Sequence, residues 1–250
     1  MAKRDILGIV GGLGPLASAE FVKTIYDHCH GEQEQDSPVV LMHSDPTFPD
    51  RTQSLLAGEC YLLLNKLNEI VNDLCELGAT RIVICCITIH YLLPMLPRES
   101  RERVISLLDV IFTLVAESRK RHLLISTTGA RKLRIYEQHV QWQSLKDQVI
   151  MPDEMDQTLI HNTIYQIKKQ RDISEVAPIL QALLSKYDTD SFIAGCTEIH
   201  LLTKHLTLSG YRERVGCIDP LTAIANDLAQ GRFWDHYPEQ SRESQIAEVY

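Results

Sequence analysis

Two cysteines of this chain sit in near-copies of one heptapeptide, Cys86-Ile87-Thr88-Ile89-His90-Tyr91-Leu92 and Cys196-Thr197-Glu198-Ile199-His200-Leu201-Leu202. Cys, Ile, His and Leu recur at matching offsets, and the copies lie 110 positions apart (196 − 86). A thiolate is a good base and nucleophile, but an ordinary thiol, with a pKa of about 8.5, is only a few per cent ionised at neutral pH. Placement at a helix N-terminus lowers that value. His90 and His200, one helical turn beyond their cysteines, and Glu198, closer still, are candidate partners that would tune the thiols. Two thiols on opposite faces of one carbon do what one cannot: the first removes a proton, the second delivers one to the far face, and the stereocentre inverts. The competing interpretation is two buried strand ends, since free cysteine is often a small hydrophobe. The polar Thr, Glu and His residues beside the thiols argue against it.

Each copy follows an apolar run, Arg81-Ile82-Val83-Ile84-Cys85 or Ser191-Phe192-Ile193-Ala194-Gly195. Each cysteine is therefore expected at the carboxyl end of a buried strand, where open α/β sheets place their ligands. Side chains alternate along a strand, so Cys86 is assigned to the cleft and Cys85 to the packing side. Before the first copy, Asp5 to Val10 reads as a strand turned by Gly11-Gly12-Leu13-Gly14-Pro15 into a helix from about Leu16 to Cys29. A second strand, Ser37 to His43, leads through Asp45 and Pro49-Asp50-Arg51-Thr52-Gln53 into a helix beginning near Ser54. Arg51 is the side chain shaped to grip a carboxylate with two hydrogen bonds. Leu62 to Leu77 is helical and stopped by Gly78.

Further along, Val104–Leu107 reads as a strand, Val110–Lys120 as a helix, and His122–Ser126 as a strand ending in Thr127-Thr128-Gly129. That ending suits either an anion site or a helix cap. A helix from Lys132 to about His139, a strand near Gln148–Met151, a helix capped by Pro152-Asp153 and running through Lys169, and a helix Val176–Tyr187 come next. Val215–Ile218 and a helix Leu221–Gln230 close the alternation, and a polar tail from Trp234 to Tyr250 is expected to pack loosely. Alternating strands and helices imply parallel sheets with right-handed crossovers. The repeat implies two Rossmann-like α/β domains related by a pseudo-twofold axis, with the site in the cleft between them. Residues 1–107 with 215–250 are expected to form the first domain, and 108–214 the second.

Composition narrows the function. The 250 residues, 44% hydrophobic and 23% charged, carry a net charge of −8, and no basic stripe interleaved with aromatics is present, which speaks against nucleic-acid binding. No apolar run reaches the roughly 18 residues needed to cross a bilayer. Met1 to Asp5 leads straight into a strand, so a soluble, cytoplasmic protein without a membrane partner is expected. The cysteines number seven, an odd count that suits reduced thiols.

The segments Gly11-Gly12-Leu13-Gly14-Pro15, Pro49-Asp50-Arg51-Thr52, Ile84-Cys85-Cys86-Ile87-Thr88-Ile89-His90 and Gly195-Cys196-Thr197-Glu198-Ile199 together resemble the cofactor-independent aspartate/glutamate racemase superfamily, and within it the aspartate racemase branch. The resemblance implies that Cys86 and Cys196 are the acid/base thiols and that Arg51 and Lys168, the latter in Ile164-Tyr165-x-x-Lys168, meet the carboxylates of a small dicarboxylic amino acid, aspartate. Gly12, Thr52, Gln53, Ile87, Thr88, Thr127 and Thr197 are the expected remaining substrate contacts. No cofactor and no metal are implied, and a homodimer is. Ile87 stands where the family usually carries Asn, which bears on substrate choice more than on reaction type. A glutamate racemase or a maleate isomerase-type enzyme of the same superfamily is the nearest alternative. From other classes, Cys86-x3-His90 with Cys196-x3-His200 offers a zinc set, and Gly12-x-Gly14-x-x-Ala17 with Asp45 offers a nucleotide-binding turn.

Overall fold

The computed structural model describes residues 5–169, 173–208 and 215–231. In chain order they form β1 (Ile6–Gly11), α1 (Pro15–His28), β2 (Val39–Ser44), α2 (Arg51–Leu56), α3 (Cys60–Glu76), β3 (Arg81–Ile84), a 3-10 helix over Thr88–Met95, α4 (Arg98–Arg101), β4 (Val104–Ile105) and α5 (Leu107–Ser118). The second half continues with β5 (His122–Ser126), α6 (Thr128–Lys132), α7 (Trp142–Leu145), β6 (Val149–Ile150), α8 (Glu154–Lys168), α9 (Ala177–Lys186), β7 (Ser191–Gly195), α10 (Ile199–Leu208), β8 (Gly216–Ile218) and α11 (Pro220–Ala229). All strand pairs are parallel, in two sheets ordered β2-β1-β3-β4 and β6-β5-β7-β8. The second sheet thus repeats the first strand for strand. Such sheets are covered on both faces, which is why β1, β3, β5 and β7 read as nearly unbroken apolar runs. The result is the two-domain α/β architecture expected from the repeat.

Three local expectations are corrected. Val215–Ile218 was assigned to the first domain, but β8 hydrogen-bonds to β7 in the second sheet, with Phe192 opposite Cys217. Its following helix, α11, does reach back, packing on α1 and α5. The segment after β5 forms its helix early, over Thr128–Lys132 rather than from Lys132 to His139. Arg134 lies in the left-handed region at φ 53°, which breaks any helix through it. The chain after Cys86 turns as a 3-10 helix containing Pro94, so that thiol does not cap an α-helix. The tail from Trp234 lies outside the described residues.

Caps fix the two elements that carry cations. Asp50 accepts the Gln53 backbone N–H and starts α2 at Arg51, three residues earlier than expected. Asp153 does the same for α8 through Asp156 N–H.

Candidate active site

Cys86 and Cys196 lie just beyond the ends of the equivalent strands β3 and β7. Cys85 N–H extends the ladder to Val10 O at 3.0 Å, and Cys86 N–H folds back onto Ile84 O at 2.7 Å. Cys85 consequently enters the core at 0% exposure while Cys86 retains 8% and Cys196 5%. Burial pushes the Cys85 thiol far up, removing it from acid/base work. The second strand end is clamped by Tyr136, whose hydroxyl donates to Gly195 O at 2.8 Å. Gly195 has to lack a side chain there, because a Cβ would come within 2.7 Å of both the Tyr136 hydroxyl and Leu124 Cδ1.

Glu198 partners one thiol directly. Cys196 Sγ donates to Glu198 Oε2 at 2.8 Å. Burial first, and the Glu198 charge second, raise the Cys196 pKa well above the usual thiol range, so this cysteine is held as the neutral acid. The expected lowering by a helix N-terminus is therefore reversed. The other carboxylate oxygen, Oε1, is 3.7 Å from Lys168 Nζ, and it is buried without a hydrogen-bond partner among the described residues. Burial opposes the Lys168 charge, but Glu198, Cys196 and Cys86 outweigh it and raise its pKa. Its ammonium also lies 4.5 Å over the Tyr165 ring.

Arg51 reaches the site from the other half. Its guanidinium donates to the carbonyls of Leu13, Phe48 and Pro49. Burial again opposes the charge, and Cys86, Asp50 and Glu198 together override it, so the Arg51 pKa is raised. The Cys196 thiol feels the Cys86 charge as well. Two thiols, one cation from each half and one carboxylate thus share a single electrostatic neighbourhood.

Polar contacts stitch the halves together around these groups. Thr88 Oγ1 and Thr127 Oγ1 are 3.1 Å apart, Thr197 Oγ1 donates to Cys85 O at 3.1 Å, and Tyr165 OH donates to Asp50 Oδ2 at 2.7 Å. Thr52 packs so closely on Gly129 that a Cβ at 129 would lie 2.6 Å from its hydroxyl. Sequence reasoning missed Tyr136, Asp50 and Tyr165 as site-forming groups. Tyr165 alone carried a signal, standing one turn before Lys168 on the same face of α8.

Other expected site residues point elsewhere. Gln53 is exposed, and the Ile87 side chain lies in the hydrophobic core at 1% exposure. His90 spans the Cys86 carbonyl at 2.8 Å and the Leu107 N–H at 3.1 Å, gripping backbone rather than a thiol. His200 sits between Asp219 Oδ2 at 2.6 Å and Thr24 Oγ1 at 2.9 Å, tying α10 to α1 and the start of α11. With both imidazoles so engaged, the zinc set does not form; among the described residues no group of three or more His, Cys, Asp or Glu side chains is placed to hold a metal ion.

The glycine turn is occupied too. Gly12, at φ 86°, donates its N–H to Ser18 Oγ, and Gly14 abuts the Glu198 carboxylate. A negative group against this turn repels a phosphate, and Asp45 is committed to Lys66 at 2.7 Å, which disposes of the nucleotide reading. At the second turn Thr127 caps α6 through Ala130 N–H, and Thr128 N–H goes to His161 Nδ1 at 3.2 Å. Thr127 therefore serves as the cap of α6.

Comparison with known proteins agrees with this architecture. The chain is similar to an aspartate racemase from Picrophilus torridus, with TM-score 0.75 and 22% identity over 90% of this chain and 94% of that one. It is also similar to an aspartate racemase homologue from Pyrococcus horikoshii, with TM-score 0.63 and 16% identity over 91% and 100%. A glutamate racemase from Francisella tularensis gives TM-score 0.57 and 16% identity over 92% and 81%. The model of the Asp/Glu/Hydantoin racemase family matches residues 10–228, nearly the whole described chain, and on that match the chain belongs to this family.

Proposed function

We propose that this racemase-family chain interconverts L- and D-aspartate with Cys86 and Cys196 as the two bases and without a cofactor. The reading is supported by two thiols at equivalent strand ends, one of them bonded to Glu198 at 2.8 Å, with Lys168 3.7 Å from that carboxylate and Arg51 reaching in from the other half. Two cations, Arg51 buried and Lys168 half-buried, suit a substrate with two carboxylates. In one direction, Cys86 as thiolate takes the proton from Cα, forming S–H as the C–H electron pair moves into the α-carboxylate as an enolate. Arg51, already beside Cys86, stabilises that charge. Cys196 then gives its S–H proton to the opposite face, leaving Cys196 as thiolate and the inverted amino acid. The reverse reaction exchanges the roles.

The test is incubation with L-aspartate in deuterated water. A racemase yields D-aspartate carrying deuterium at Cα; Cys86→Ser and Cys196→Ser should each lose this activity while keeping the wild-type circular dichroism spectrum. Full activity in either variant refutes the two-thiol mechanism. Turnover of glutamate or maleate in place of aspartate moves the assignment within the family.

A further inference from the structure

We propose that Glu198 is the specificity residue that binds the α-ammonium of the substrate, so that the site accepts amino dicarboxylates and rejects dicarboxylates lacking the amino group. This inference rests on the dicarboxylic amino-acid reading above. Its first support is an unsatisfied atom. Glu198 is 3% exposed, and Oε1 has no hydrogen-bond partner among the described residues; Lys168 Nζ, at 3.7 Å, lies beyond hydrogen-bond distance. A buried carboxylate oxygen without a hydrogen bond is costly, and an ammonium brings three N–H donors with a positive charge.

The second support is position. Oε1 sits between Lys168 of the second half and Gly14 of the first, where any side chain at 14 would collide with it. The oxygen therefore occupies the junction of the two halves, in space that the absence of a Cβ at 14 leaves to it. The third is charge arithmetic: Arg51 and Lys168 supply two positive charges and Glu198 one negative, the mirror image of two carboxylates and one ammonium. A desamino dicarboxylate brings no ammonium, so Lys168 would have to serve Glu198 and a substrate carboxylate at once.

The same carboxylate holds Cys196 Sγ through Oε2 at 2.8 Å. With the substrate nitrogen on Oε1, the carbon bonded to that nitrogen is carried next to the thiol that protonates it. One side chain thereby sets both substrate class and the line of proton delivery.

The experiment compares binding of aspartate and succinate by titration calorimetry in the full chain and in Glu198→Gln, which keeps the shape and removes the charge. Wild type is expected to favour aspartate. In Glu198→Gln, aspartate affinity should fall by about 10-fold or more while succinate affinity stays level or rises. Gly14→Ala, which pushes a methyl group onto Oε1, should lower aspartate binding selectively without altering any charge, and it serves if Glu198→Gln fails to fold by circular dichroism. An unchanged aspartate-to-succinate ratio in a folded variant, even with a lowered kcat, reduces Glu198 to a partner of the thiol and overturns the inference. Aspartate binding without racemisation in wild type would defeat the proposed reaction while leaving this ratio a valid test; wild type binding neither compound defeats both.

Discussion

At Arg51 the charge is held in place by backbone. The carbonyls of Leu13, Phe48 and Pro49 take its donors and aim what remains of the planar group at Cys86. A lysine has the charge but not the fork, and it cannot span these acceptors and the site together. Arg51→Lys is therefore expected to lower kcat/KM for aspartate racemisation by about 10- to 100-fold, the loss of one charged hydrogen bond, with little change in melting temperature. A variant within twofold of wild type would show that Arg51 does not contact the substrate. Residue type and chain position made Arg51 and both thiols legible in the sequence, and the two-residue step from Cys196 made Glu198 legible. The histidines were misread for a geometric reason. A spacing of one turn says that His90 and His200 follow their cysteines, not toward which side the turn leans, and the 3-10 winding after Cys86 carries His90 to the start of α5.

Among the elements, the end of β7 is tightly built. Gly195→Ala would drive its methyl against Tyr136, Leu124 and the Ile125 carbonyl, the last at 2.9 Å. Overpacking of this kind costs about 1–3 kcal/mol, and the movement that relieves it displaces Cys196. The expected outcome is a lower urea midpoint together with a fall in racemisation larger than the stability loss explains. Helix α8 is tied to the opposite half by the 2.7 Å hydrogen bond from Tyr165 to Asp50. Tyr165→Phe should raise the KM for aspartate by about 10-fold through loosened closure, since a hydrogen bond to a charged group contributes about 1.5–3 kcal/mol. Fluorescence-monitored melting should show only a small change, because Asp50 still caps Gln53. The frame of these elements was readable from apolar periodicity and from caps such as Asp153. The Tyr165–Asp50 contact was not, because it joins residues 115 positions apart and depends on how the two halves meet.

For the molecule as a whole, two buried histidines, His90 and His122, serve as neutral struts and set an acid limit on the fold. His90 donates from Nδ1 to the Cys86 carbonyl and accepts at Nε2 from Leu107 N–H, so a second proton has nowhere to go. Burial pushes its pKa down to about 4, against the lesser opposing pulls of the Cys86 carbonyl and Asp109. His122, packed between the Ser118 and Ser191 hydroxyls, is likewise pushed down to about 4, again chiefly by burial. Below the ordinary value of 6.5 the unfolded chain takes protons that the folded chain refuses, so stability falls as pH drops from about 6.5 to about 4. For His90 alone the loss reaches about 3 kcal/mol at the lower end. Asp219 acts in a different window. Its burial is outweighed by His200, Thr203 and Thr222, its pKa lies below the ordinary 3.8, and its contribution is present above that value and lost only beneath it. Urea unfolding across the histidine window should therefore show a steep decline in wild type and a shallower one in His90→Gln, whose amide can donate to Cys86 O and accept from Leu107 N–H without titrating. Equal slopes in the two proteins would mean that the strut between Cys86 and α5 is not what limits the fold in acid.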